Sequence, residues 1–177
     1  MASNAVFQFL ADTHGRFAQV AKGLPAEVKI TPTRKLIAFS LLGADYVVPL
    51  EEVSEILDVP QMTRLPRVKN WVKGVANVRG RLMPIIDFAD FRGGKLTPTI
   101  RDRRVMVFEV NNVYVGVIVD GVQGLQKIPV DRYRREYASN LALAPYLEGH
   151  YGHAGRNWPL FRPYKLIMDS TFMSVSE

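Results

Sequence analysis

The sequence contains no cysteine. That excludes disulfide staples, thiolate catalysis and zinc sites built on sulfur, and it suits a reducing compartment. Long hydrophobic runs are also missing. The most apolar stretches are interrupted by Ser40, Gly43, Asp45 and Pro49, so none is expected to span a bilayer. The start, Met1-Ala2-Ser3-Asn4, lacks the basic region of a secretory signal, and Phe7 to Ala11 is too short to be its apolar core. Any membrane contact is therefore expected to be indirect, through a partner. Motifs that mark catalysis are absent as well: no phosphate loop, no dinucleotide fingerprint and no nucleophile elbow.

What is present describes a folded domain. In 177 residues, 47% are hydrophobic and 23% charged, which allows one ordinary domain or two very small ones. A net charge of +6 raises nucleic acid or an acidic surface as a partner. Yet the basic residues are scattered, and the densest cluster, Arg132, Arg134 and Arg135, is flanked by Asp131 and Glu136. That mixture reads as a solvated loop better than as a phosphate-tracking surface. A basic small-barrel nucleic-acid binder is the alternative function, with Tyr133 and Tyr137 as its stacking residues.

Residues 1–30 read as a helical extension, with Phe7, Leu10, Phe17 and Val20 near helical spacing and Gly23-Leu24-Pro25 as the stop. From about residue 34 short runs of Val, Ile, Phe and Tyr alternate with Gly, Asn, Asp and Pro, which predicts many short strands. One hairpin is predicted from 36–41 to 46–50 through Gly43-Ala44-Asp45. Another is predicted from 105–110 to 114–119 through Asn111-Asn112. These hairpins repeat. Phe39, Val53 and Ile56 match Phe108, Val122 and Leu125 at an offset of 69 (108 − 39). Gly74 and Pro84-Ile85-Ile86 match Gly149 and Pro159-Leu160-Phe161 at an offset of 75 (149 − 74). A strand set repeated after about 70 residues suggests two closed or nearly closed small barrels.

Few residues stand out chemically. His150 and His153 are spaced like metal ligands on a helix, but Gly149, Gly152 and Gly155 predict a loop there, against a metal site. Glu51, Glu52 and Glu55, and Asp87 with Asp90, read as solvated acids flanking apolar positions, not as an acid–base pair. In Pro66 to Phe91, Gly80 supplies a tight reversal, Asn77 a side chain that can bond nearby backbone, and Arg79 a forked donor at the hairpin end.

The run Trp71-Val72-Lys73-Gly74-Val75-Ala76-Asn77-Val78-Arg79-Gly80, followed by Met83-Pro84-Ile85-Ile86-Asp87-Phe88, closely resembles the core signature of the CheW-like family. Val48-Pro49 to Ile56, Gly116 to Val122, and Tyr146-Leu147-Glu148-Gly149 are similar to three further family blocks. The resemblance implies a mainly all-β fold with two SH3-like, five-stranded β-barrel subdomains, intertwined within residues 31–177, with halves of roughly 34–100 and 103–170. It implies a non-enzymatic cytoplasmic adaptor, recruited to membrane receptor arrays, between a chemoreceptor's cytoplasmic tip and the regulatory domain of a CheA-like histidine kinase. No cofactor, metal or nucleic acid is implied. Residues 1–30 and the proline-bearing segment 157–164 look more like the family's adaptors from type IV pilus twitching-motility systems than like flagellar ones. By position, Val53, Glu55 and Ile56 would form a receptor-facing groove. Gly74, Asn77, Arg79 and Gly80 would shape the adjacent hairpin, and Asp120 and Val122 would contribute from the second barrel.

Overall fold

Strands whose two faces are both apolar must be covered on both sides, and this demand organises the molecule. The computed structural model describes residues 31–97, 99–136 and 139–176. The helix expected over residues 1–30, and Tyr137, lie outside the described residues.

Eleven strands follow in order: β1 (Thr33–Leu41), β2 (Ala44–Pro49), β3 (Glu55–Asp58), β4 (Val72–Val78), β5 (Arg81–Asp87), β6 (Arg104–Val110), β7 (Val113–Val119), β8 (Gly121–Pro129), β9 (Tyr133–Arg134), β10 (Leu147–His153) and β11 (Arg156–Phe161). Among the described residues three short α-helices are interspersed: α1 (Phe88–Phe91), α2 (Pro163–Ile167) and α3 (Ser170–Met173). The strands form a six-stranded sheet, β8-β1-β2-β11-β10-β9, and a five-stranded sheet, β3-β6-β7-β5-β4. The sixth strand of the larger sheet is only the two-residue β9.

The expected duplication is visible in the hydrogen-bond register. Ile37 faces Leu125, and the repeat-related Met106 faces Ile56. The parallel pairings repeat too, Leu160 with Val47 and Ile85 with Gly116. Each sheet therefore takes its first two repeat strands from one half of the chain and the rest, four in the larger sheet and three in the smaller, from the other half. Both predicted hairpins form. Asn111 and Asn112 take the left-handed angles their turn requires, whereas the first turn is made by Leu42 and Gly43, one residue earlier than expected.

Alternation along each strand divides the core into three parts. Leu36, Ala38, Val47, Trp158 and Leu160 pack inside the six-stranded sheet. Ala76, Met83, Ile85, Val105 and Ile118 pack inside the other. The opposite faces, with Ile37, Phe39, Tyr46, Ile86, Met106, Phe108 and Val117, meet in the largest cluster, together with Phe88, Phe161 and Phe172. Aromatic rings dominate this central layer: Phe161 lies edge-on to both Phe39 and Phe88, with centroids 5.8 and 5.7 Å away.

The segment 148–153, expected as a loop, is part of strand β10. Its glycine serves packing instead of a turn: a Cβ on Gly149 would lie 2.4 Å from the Arg134 carbonyl oxygen. Segment 157–164, unusual for its prolines, forms β11 and then opens α2 at Pro163, the first-turn position a proline favours.

Candidate functional site

The β4–β5 hairpin reverses at Arg79-Gly80, with φ of 52° and 82°. Two positive φ values define the turn whose twist suits a two-residue hairpin, and glycine meets this demand at its second position. Arginine at the first is costlier, since a left-handed non-glycine residue carries strain. Asn77 steadies the turn by accepting the Gly80 N–H at 2.8 Å. Arg79 then reaches across to β3, its Nη2 2.6 Å from Glu55 Oε1. The arginine side chain is 80% exposed, so the pair contributes at most about 1 kcal/mol. Its role is orientation.

Among the described strands, β3 lies at a sheet edge and pairs only with β6. Its alternation turns Leu57 towards the five-stranded sheet's interior and leaves Ile56 36% exposed. Glu55, Ile56, Asn77, Arg79 and Gly80 thus come together around one hairpin tip and one edge. Leu82, paired in register with Asn77 and 73% exposed, joins them. Leu82 belongs to no motif, but alternation with the buried Met83 and Ile85 marks it as outward-facing. Beside it, Arg81 grips Glu109 through two hydrogen bonds of 2.9 and 3.1 Å and stacks over Tyr114 at 3.9 Å. That pairing holds the Glu109 carboxyl below its usual range.

The other carried-over residues lie elsewhere. Val53 and Val122, mates in the repeat, pack against the central core from its margin. Gly74 is buried where β4 passes another segment: a Cβ there would lie 2.4 Å from the Thr63 carbonyl oxygen. Asp120 is only 6% exposed. Its two oxygens accept backbone N–H groups, Leu42 at 2.8 Å and Thr97 at 2.7 Å. It pins the strained β1–β2 turn and the segment before β6.

Among the described residues no group of three His, Asp or Glu side chains is placed to hold a metal ion. His150 directs Nδ1 at the Glu136 carbonyl. The arginines of segment 132–135 serve local structure in part: Arg134 donates to the carbonyls of Asp131 and Tyr133. No helix among the described residues is long and apolar enough to cross a membrane.

Two interlocked small sheets, with a charged hairpin tip beside a short edge strand, define the architecture. The CheW-like domain family matches residues 35–170, and the chain belongs to that family. Protein PilI of Pseudomonas aeruginosa is 42% identical over 171 residues, covering 96% of each chain. The chemotaxis protein CheW of Klebsiella aerogenes is 30% identical over 82% of this chain and 87% of its own. Among solved structures, the scaffolding protein TtCheW of Thermoanaerobacter tengcongensis superposes with a TM-score of 0.70, covering 81% of this chain and 99% of its own. At 20% identity that likeness speaks to the fold.

Proposed function

We propose that this chain is a cytoplasmic scaffold adaptor that couples a methyl-accepting chemoreceptor to a CheA-like histidine kinase and so controls type IV pilus twitching motility. The observation that carries this reading is the 42% identity to PilI across 96% of both chains. The site geometry supports it. Ile56 and Leu82 offer exposed apolar contacts, while Glu55, Asn77 and Arg79 frame them with oriented polar groups. A helix laid on such a surface would bury its apolar face on the aliphatic side chains and be held in register by the polar groups around them.

The strain at Arg79 fits a binding role, because Asn or Gly would satisfy the turn at lower cost. The adaptor would act by stoichiometry: binding receptor and kinase at once, it biases a two-state assembly by its differential affinity for the two states.

The test is co-purification from the native cytoplasm with the full chain as bait, comparing wild type with Ile56→Asp and Arg79→Ala. A methyl-accepting receptor and a CheA-like kinase are expected with wild type, and at least one should be depleted by each substitution. Recovery of neither, with nuclease-sensitive material in their place, would instead support the basic-barrel alternative.

A further inference from the structure

The duplication provides an internal control for the charges at one end of each sheet. In the six-stranded sheet, Arg34 opens β1, Glu51 and Glu52 follow β2, Glu148 lies in β10 and Arg162 follows β11. These groups satisfy one another. Arg34 meets Glu51 at 2.9 Å, and Arg162 meets Glu52 at 3.0 Å and Glu148 at 3.1 Å. The repeat-related positions in the five-stranded sheet are Arg103 for Arg34, Asp120 for Glu51, Lys73 for Glu148 and Asp87 for Arg162. The Glu148–Arg162 pair returns with its polarity reversed, as Lys73–Asp87 at 3.5 Å. The carboxylate that serves Arg34 returns as Asp120, but its ion pair does not. Asp120 is turned inward onto Leu42 and Thr97, so Arg103 is left donating to the Thr97 carbonyl, which cannot neutralise it.

Arg103 borders a cleft of about 490 Å³, into which Arg64 and Lys69 also face. An adjoining cleft of about 380 Å³ shares Arg103, Lys73 and Asp87 and adds Lys95 and Asp90. Lys73 is balanced by Asp87 and by Asp90 at 2.9 Å. Among the described residues, no carboxylate pairs with Arg64, Lys69, Lys95 or Arg103 within ion-pair distance. The backbone carrying them is tied down. Thr63 and Val75 exchange two hydrogen bonds of 2.8 and 2.9 Å, and the Lys69 N–H donates to the Val175 carbonyl at 3.0 Å. Met62, Leu65 and Val68 supply apolar wall between the cations.

From this unbalanced half of a repeated design, we propose that the cleft docks an acidic, partly apolar peptide segment of a partner protein. The partner's carboxylates would meet Arg103, Lys69 and Arg64 as Glu51 and Glu52 meet Arg34 and Arg162 in the other sheet. The chain's own Leu50-Glu51-Glu52-Val53 displays the pattern required: adjacent carboxylates between apolar residues. The proposal stands whether or not the Arg79 hairpin meets a receptor. Charge complementarity of this kind sets partner choice and salt dependence more than raw affinity.

The test is an NMR titration of the full ¹⁵N-labelled chain with a capped synthetic peptide of the Leu50–Val53 sequence. Amide shifts are expected within residues 62–73 and 95–103, weakened by added salt. The double variant Lys69→Glu/Arg103→Glu should bind about tenfold more weakly or worse, and a peptide with Gln for both Glu should not bind. If that variant fails to fold, Lys69→Gln/Arg103→Gln should show the same loss. Shifts centred on Arg132 to Arg135, unchanged binding by the double variant, or no shift at millimolar peptide would each overturn the proposal. So would saturation of the cleft by inorganic pyrophosphate that the peptide cannot displace, which would make it a small-anion site.

Discussion

Gly74→Ala separates two reasons for keeping a glycine. At Gly74 the backbone has φ of 151°, and a Cβ would lie 2.4 Å from the Thr63 oxygen, well inside the 3.0 Å that real Cβ atoms respect. That same oxygen accepts the Val75 N–H, so relieving the clash means opening the Thr63–Val75 bridge and both its hydrogen bonds. Two such bonds contribute about 2 kcal/mol, and a side chain at this φ costs about 1–3 kcal/mol more. For a domain of this size the combined loss should lower Tm by roughly 10 °C. Gly43→Ala is the control: its φ is 77°, but nothing lies within 4 Å of the added carbon, so only about 1 kcal/mol of backbone strain is expected. Thermal unfolding followed by circular dichroism gives the comparison, and hydrogen exchange at the Thr63 and Val75 amides locates it. A Tm shift no larger than that of Gly43→Ala, with both amides still protected, would refute the close-approach argument.

Asp120→Ala leaves the Leu42 and Thr97 N–H groups without their acceptor, and should cost about 2–4 kcal/mol in urea unfolding; a loss under 1 kcal/mol would contradict the clamp. The Asp169 carboxyl is held below its usual range, first by the hydrogen bond from Tyr146 and then by the backbone N–H groups of α3. A lowered folded pKa contributes stability above the unfolded value near 4, and that contribution is lost as pH falls through the folded value. Acid should therefore loosen α3 and separate Phe172 from Trp71, whose rings stack at 6.0 Å, and tryptophan fluorescence should report this early acid transition in wild type. In Tyr146→Phe the transition should move towards higher pH. The same hydrogen bond, with burial as the larger cause, pushes the Tyr146 hydroxyl up to about 12, while burial also raises Tyr46 and Tyr133, so alkaline difference spectroscopy should find a late-ionising group of tyrosines that loses one member in Tyr146→Phe. Arg79→Asn should keep or raise stability by up to about 1 kcal/mol, because Asn tolerates the left-handed angle, while reducing partner recovery; a clear fall in Tm would show that Arg79 serves the fold.

The strands and the repeat were legible because they are local or periodic. Apolar runs on both faces, the Asn111-Asn112 turn and the offsets of 69 and 75 need no tertiary information. The exchange of strands between halves was not encoded locally, since each hairpin looks self-sufficient until the partners of its edges are known. Asp120 entered only by family position, as a contributor from the second barrel; its burial follows from Leu42 and Thr97, respectively 78 and 23 residues away. Segment 148–153 was misread as loop because Gly149 answers a distant backbone, that of Arg134, and not a local bend. Of the candidate site, the hairpin tip was readable from Asn77, Arg79 and Gly80, whereas Leu82 needed the strand's alternation to be followed one residue further.

Because β1 must find β8, and β3 must find β6, the order in which the chain is synthesised constrains how it can fold. When the first half emerges, its β1–β2 hairpin has an open edge that only a strand from about 85 residues later can cover, and β3 has no partner at all. Contacts of such sequence separation are slow to form, and unpaired edges invite pairing with other chains. A nascent or truncated first half is thus an aggregation-prone species. Splitting the gene between the repeats should yield two fragments that fold only when expressed together.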